Sequence, residues 1–414
     1  MAQLVATKLP RLTDSGDPCD SESQEKDGEK NDSTNIRLLF DYYSVIIRLM
    51  FQPKYIITHP LLENIKRIYS LVQSLNQRHF PDVVLVELQK TAEAVSTYAS
   101  TSIEGNPLPL TDVKAILKNA PQNIRDSERE VLNYNDILKE INRKLEKGPL
   151  PVTLEFILSI QKKITQKLLP AYQTGKLRAD PVFVNDPRER KTIYWPPDAQ
   201  DVPALLKDLI RFVDANKNRI DPLILAGLFH KEMVIIHPFM DGNGRLHRFL
   251  IHDVLSSSGF TPKGIVLPVS AVILANLDQY VHTLERFSKP IQARTEYDPD
   301  TLNIPAKGND GLYFRYFDAT DQVLFLFWAL ERTITHDLEE EISFLLGFDK
   351  AYNALKADLD WPAHSLDLFI RLVHQNKGSL SKAKRKSHFE WMTDTEVKQS
   401  EAAVNKAFEK SKAP

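Results

Sequence analysis

The sequence predicts a mainly α-helical protein, and three observations point there. Only 14 of the 414 residues are glycine, against abundant Leu, Ile, Lys and Glu, a composition that favours helix over strand. Apolar residues recur at helical spacing along most of the chain. Only one stretch, about residues 181 to 195, switches to short β-prone runs.

Taken in order, the chain opens with "DSGDPCDSESQEKDGEKNDS" at 14–33, eight acids and two lysines with almost nothing apolar. Such a segment has no core to bury and reads as a solvated, disordered tail. From Leu61, apolar positions 61, 65, 68, 72 and 75 mark a first amphipathic helix. Pro81 suits the first turn of a second, with Val84, Leu88, Val95 and Tyr98 on its apolar face. "EGNPLP" at 104–109 ends that helix, Thr111 can cap a short one, and residues 127–146 and 154–169 read as two more. "DPVFVND" and "KTIYWPP" then form the hairpin at about 181–195. Helices resume at 202–215 and 222–236, the latter opened by Asp221 as cap and Pro222 in its first turn. Beyond 296–300, helical patterns return at 321–345 and 365–376, followed by turn, short helix, turn and helix.

Bulk properties exclude several classes. Net charge is -2 with 26% charged and 42% hydrophobic residues, so no global basic field advertises nucleic acid or a membrane. No apolar run approaches the roughly 20 residues of a spanning helix, and the N-terminus lacks a signal-peptide core. The single cysteine, Cys19, has no internal partner. Together these predict a cytoplasmic protein in a reducing compartment.

The informative stretch is "HPFMDGNGRLHRFL", residues 237–250. Pro238 stops the 222–236 helix and leaves His237 at its edge. Gly242, Asn243 and Gly244 allow a sharp turn that exposes successive N–H groups. A helix then starts, with Leu246, Phe249, Leu250 and Val254 as its buried stripe and Gly259 at its end. A glycine turn feeding a helix N-terminus is an anion site. Arg245 and Arg248, three apart on one face, suit a polyphosphate. Asp241 is a hard oxygen ligand beside that cradle, where Mg²⁺ can bridge phosphates. His237, near about 6.5 when unperturbed, can accept a hydroxyl proton. Singly, each residue reads as a cap, a turn or a solvated face; jointly they assemble a phosphate-transfer site.

"HPFMDGNGRLHR" resembles the Fic-domain signature, His-x-Phe-x-Asp/Glu-Gly-Asn-Gly-Arg-x-x-Arg, at every fixed position. The resemblance implies a Fic-type helical bundle with a small β-hairpin flap that holds the target segment by strand addition. It implies transfer of AMP from ATP to a Tyr, Ser or Thr hydroxyl of a target protein or of this chain itself. It further implies His237 as base, Asp241 as ligand of Mg²⁺ or Mn²⁺, and Gly242 to Gly244 as anion cradle. Asn243 and Arg245 would hold phosphates, Arg248 the γ-phosphate, and Phe239 would pack beneath the loop. The related Doc kinases carry Ala where Gly242 stands, which favours nucleotidyl transfer here. "STSIEGN", Ser100 to Asn106, is similar to the family's inhibitory motif, so Glu104 would pair with Arg248 from an inhibitory helix in the same chain. Tyr280, followed by Val281 where the family often pairs tyrosines, would be an adenine contact.

On this reading the chain divides into an acidic tail (1–35), an N-terminal helical region with the inhibitory motif (36–150), a Fic catalytic core (151–295) and a helical, winged-helix-like accessory region (296–414). In the last, Lys377, Lys382, Lys384, Arg385 and Lys386 could touch nucleic-acid phosphates, although a solvated helix face is favoured. A homodimer is left open. Three other functions compete: removal of AMP by the same site with Glu104 positioning a water, a DNA-binding or scaffold protein with a vestigial loop, and a zinc hydrolase built on His230, His237, His247 and His252. The histidine spacing does not reproduce His-Glu-x-x-His, which ranks the zinc reading last.

Overall fold

Helices follow one another through the chain, as the apolar periodicity predicts. The computed structural model describes residues 51–185, 192–261, 265–292, 314–359 and 361–409. The acidic tail, Cys19, the turn of the hairpin and the "EYDPD" segment lie outside them. No described helix is long and apolar enough to cross a membrane.

Helix α1 (His59–Gln77) is capped by Thr58, whose hydroxyl accepts from Leu61 N, and buries Leu61, Ile68, Val72 and Leu75. Helix α2 (Asp82–Ile103) begins one residue after Pro81, which serves as N-cap. Its buried face departs from the predicted one. Val84 and Leu88 are buried, but Val95 and Tyr98 are only half-buried, while Ala92, Ser96, Ala99 and Ser100 carry the buried contact further along. Small side chains let neighbouring helices approach closely, and a pattern sought among large residues misses them.

Helix α3 (Leu110–Lys118) is capped by Pro109; Thr111 lies inside the first turn and donates to Asp112 instead of capping. Helix α4 (Asp126–Leu145) starts where Glu128 accepts from Arg125 N at 2.8 Å. Helix α5 (Leu154–Thr165), capped by Thr153, stops four residues short of the expected 169. Lys167 adopts a left-handed φ of 61°, and Pro170 disfavours helical backbone at the residue before it.

The hairpin is present and short: β1 (Val184–Asn185) pairs antiparallel with β2 (Thr192–Tyr194), with Val184 opposite Tyr194. Helix α6 (Val202–Asn216) and helix α7 (Pro222–Ile236) follow, the latter capped by Asp221 through Leu223 N at 2.9 Å. From Leu223 to Ile236 every residue of α7 is buried. Such an all-round apolar helix belongs in the centre of a core. Helix α8 (Asn243–Ser257) packs against it, burying Leu246, Phe249, Leu250 and Val254 as predicted.

Helices α9 (Val269–Ala275) and α10 (Leu277–Gln292) complete this layer. Helix α11 (Thr320–Arg332) runs through a π-helical stretch, Thr333–Leu338, into α12 (Glu339–Asp358), so the expected 321–345 helix extends to 358. One apolar core links Phe51 to Leu345. A second, around Phe369, Phe389 and Val404, joins the end of α12 to α13 (Ala363–Gln375), α14 (Lys382–His388) and α15 (Asp394–Glu409). Among the described residues of 314–409 there is no strand pair of a wing, only an isolated bridge from Lys54 to Asp318.

Candidate active site

The loop between α7 and α8 is built by two unusual backbone positions. His237 ends α7 in the left-handed region, with φ 47°, costly for a residue carrying a Cβ. Arg178 holds it there. Its buried guanidinium donates to His237 O at 2.8 Å and Pro197 O at 2.5 Å, and its backbone N donates to Pro238 O at 2.9 Å. Burial lowers the affinity of Arg178 for its proton to about 10. Gly242, φ 84°, makes the second turn and opens α8. A Cβ at Gly242 would press on Thr165 Cγ2 at 3.0 Å, so a side chain there is opposed by both backbone and space.

Phe239 is fully buried beneath the loop. Asn243 does not face outward: its Oδ1 accepts from Phe239 N at 2.9 Å and its Nδ2 donates to Phe239 O at 2.7 Å. Side chain and backbone thus staple the loop to itself. Gln161 of α5 adds a bond from Nε2 to Asp241 O at 3.2 Å.

Both arginines of the cradle are held by acids. Arg248, its side chain 1% exposed, donates from Nη2 to Glu104 Oε1 at 2.6 Å and to Ser100 O at 2.7 Å. Its Nε donates to Ser100 Oγ at 3.1 Å. Glu104 sits directly after α2, followed by the left-handed turn of Gly105. Its carboxylate lies over Gly244, where any Cβ would collide with it. The helix N-terminus therefore already accommodates an anion, supplied by a residue far away in the sequence. Arg245, 3% exposed, pairs with Glu130 Oε1 at 2.6 Å and with Asp241 Oδ2 at 3.0 Å. Asp241 Oδ1 accepts from Gly242 N at 2.6 Å.

His237 Nδ1 is buried with no hydrogen-bond partner. Burial, opposed by the nearby Glu104 charge, lowers its affinity for a proton to about 4, so the imidazole is neutral at pH 7 and open to a proton. Asp241, 46% exposed, is the one acid of the loop facing outward. No group of three or more His, Cys, Asp or Glu among the described residues could hold a metal alone. A single carboxylate is nevertheless the usual protein share of a Mg²⁺ site completed by substrate phosphates and water.

Other expected residues lie apart. Tyr280 is 6% exposed, its hydroxyl 3.5 Å from His230 Nε2 and its ring beside Phe325, which leaves little face for a base to stack on. The zinc reading is overturned. His230 and His247 place their Nδ1 atoms 3.1 Å apart, at hydrogen-bond distance, while His252 bonds Asn142 Oδ1 at 2.6 Å and does not join them. Lys377, Lys382, Lys384 and Lys386 are exposed, whereas Arg385 bonds Met392 O and pairs with Asp394. Sequence reading missed Arg178 and Glu130, which reach the loop from elements distant in the chain.

The structure thus brings together a sharply turned glycine loop at a helix N-terminus, a buried histidine and two buried arginines. The chain matches the Fic/DOC family over residues 151–255. It is 25% identical over 304 residues to the protein adenylyltransferase Fic of Drosophila grimshawi, covering 68% of this chain and 55% of that one. To the protein of the same name from Nematostella vectensis it is 31% identical over 172 residues, 40% of this chain and 38% of that one. The chain thus spans about half the length of the curated relatives it matches. Among solved structures, a Fic family protein from Desulfovibrio desulfuricans G20 shares the fold with a TM-score of 0.53 at 21% identity, over 84% of this chain and 86% of that one. Fic-1 (residues 134–508) from C. elegans does so with a TM-score of 0.50 at 18% identity, over 80% of each.

Proposed function

We propose that this chain is a Mg²⁺-dependent protein adenylyltransferase held in check by Glu104. The observation that carries the reading is the complete twelve-residue loop, folded as a cradle with Glu104 seated on Arg248 and Gly244. The curated relatives named for that activity support it. In this reading a target hydroxyl oxygen forms a bond to the α-phosphorus of ATP, the bond to pyrophosphate breaks, and His237 takes the hydroxyl proton. The N–H groups at the start of α8, with Arg245 and Arg248, offset the phosphate charge. Asp241 would hold a divalent ion, which neutralises charge as pyrophosphate leaves. The β1–β2 hairpin, ending at Tyr194 whose hydroxyl donates to Ile235 O at 2.8 Å, is anchored to α7 and would hold the target segment by strand addition.

Removal of AMP is the second reading. It is favoured by the carboxylate of Glu104 standing at the mouth of the cradle, 29% exposed, where it could orient a water. Incubation with labelled ATP and a cell lysate, with Mg²⁺ or chelator, tests the assignment. Label should enter protein with Mg²⁺, and vanish with chelator or in Asp241→Ala. Undiminished labelling in chelator would contradict the metal, and release of AMP from a previously modified protein, with no incorporation from ATP, would favour AMP removal.

A further inference from the structure

The cradle's second arginine is also held by an acid, and that acid comes from a different helix than Glu104. Arg245 lies 2.6 Å from Glu130 Oε1 on α4. The other oxygen, Oε2, accepts from Asn106 Nδ2 at 2.7 Å. Asn106 is itself buried and fixed: Nδ2 also donates to Ser127 O at 2.9 Å, and Oδ1 accepts from Leu108 N at 3.1 Å. It stands two residues after Glu104. One chain of contacts therefore runs from the inhibitory segment through Glu130 to Arg245 and on to Asp241.

We infer that Glu130 is the positioning residue for Arg245 and that Asn106 orients it, so the segment carrying Glu104 also builds part of the phosphate site. The inference rests on the adenylyltransferase reading. Arg245 is almost wholly buried, and a buried guanidinium needs a compensating anion. Asp241 is the exposed partner, free to turn towards a metal, and Glu130 is the partner that stays. Without Glu130, Arg245 retains only Asp241 and competes with the metal for it. Two glutamates pairing two arginines thus act in opposite directions. Glu104 occupies the place of a phosphate, whereas Glu130 aims a phosphate ligand from behind. Relief of inhibition must accordingly be local. Moving the Glu104 carboxylate frees Arg248, but displacing residues 104–106 together would also release Glu130 and loosen Arg245.

The test is made in the Glu104→Gly protein, where the cradle is open. Equilibrium ATP binding with Mg²⁺ is measured beside KM and kcat for AMP transfer. Glu130→Gln should weaken ATP binding and raise KM on the order of tenfold, the scale of one charged contact, with a smaller change in kcat. Glu130→Asp should recover part of the loss. Asn106→Ala, with Glu130 intact, should shift ATP binding in the same direction by less, and it decides the matter if Glu130→Gln does not fold. Unchanged or tighter ATP binding in folded Glu130→Gln and Asn106→Ala would overturn the assignment. Failure of the Glu104→Gly protein to bind ATP at all would overturn the adenylyltransferase reading and this inference with it.

Discussion

The loop joining α7 to α8 and the helices beyond Ala351 treat their charges in opposite ways. Around the loop, Arg178, Arg245 and Arg248 are all under 5% exposed, and each is met by a carboxylate or a set of carbonyls. Beyond Ala351 the apolar groups are the buried ones, among them Phe369 and Phe389, and the lysines of α14 stand in water. Burying a charge costs several kcal/mol unless it is paired and hydrogen-bonded, so a protein that buries three arginines around one loop gains something other than stability there. A solvated lysine costs nothing and implies nothing. The difference teaches that the place of a charge, more than its presence, marks a site.

The largest effect expected from breaking this contrast is at His237. His237→Ala should lower AMP transfer by about 10²- to 10⁴-fold, the usual loss of a general base, while ATP binding stays near the parent value. A variant transferring AMP at the parent rate would remove His237 from the chemistry.

A second effect is pH-dependent and sharpens the regional comparison. Burial lowers His230 to about 3 and His237 and His252 to about 4, and pushes His247 well below its usual value. The unfolded chain takes up these protons near pH 6.5, whereas the folded protein does not. The contribution is therefore intact above about 6.5 and is lost as pH falls towards 4, at about 1.4 kcal/mol per unit for each group that titrates. Hydrogen exchange at pH 5 should show α7 and α8 opening more readily than at pH 7, with α13 and α15 changing less. Equal changes in both regions would contradict it.

The smallest effect belongs to the solvated face. Replacing Lys382, Lys384 and Lys386 together by Ser should alter stability by no more than about 0.5 kcal/mol per site and leave AMP transfer within about twofold. A loss of duplex DNA affinity in this variant would instead make α14 a nucleic-acid surface.

Much of this contrast was legible in the sequence because it is local. The cap of α7, the glycine turn, the buried stripe of α8 and the hairpin depend on neighbours within a few residues, and their side chains announce them. The failures have equally definite causes. Thr111 looked like a cap, but Pro109 already fixes an extended backbone there, and the helix starts before Thr111. Helix α2 buries alanines and serines, which an apolar count passes over. Nothing in the sequence singles out Glu130 and Arg178, since only the fold brings them to a loop distant in sequence. The exposed cluster on α14 suggested a wing, yet its described neighbours are helices and turns.

In the proposed function, Glu104 and a phosphate compete for one guanidinium. Arg248 Nη2 can meet the Glu104 carboxylate at 2.6 Å or a phosphate oxygen, and exchanging one charged contact for another is worth on the order of 1.5–3 kcal/mol, tenfold or more in productive binding. The most direct measurement compares AMP incorporation, including self-modification, by the parent, Glu104→Gly and Glu104→Gly/Arg248→Ala. The single variant should exceed the parent at least tenfold, and adding Arg248→Ala should abolish the gain. A Glu104→Gly protein no more active than the parent on itself or on any lysate protein would contradict the claim.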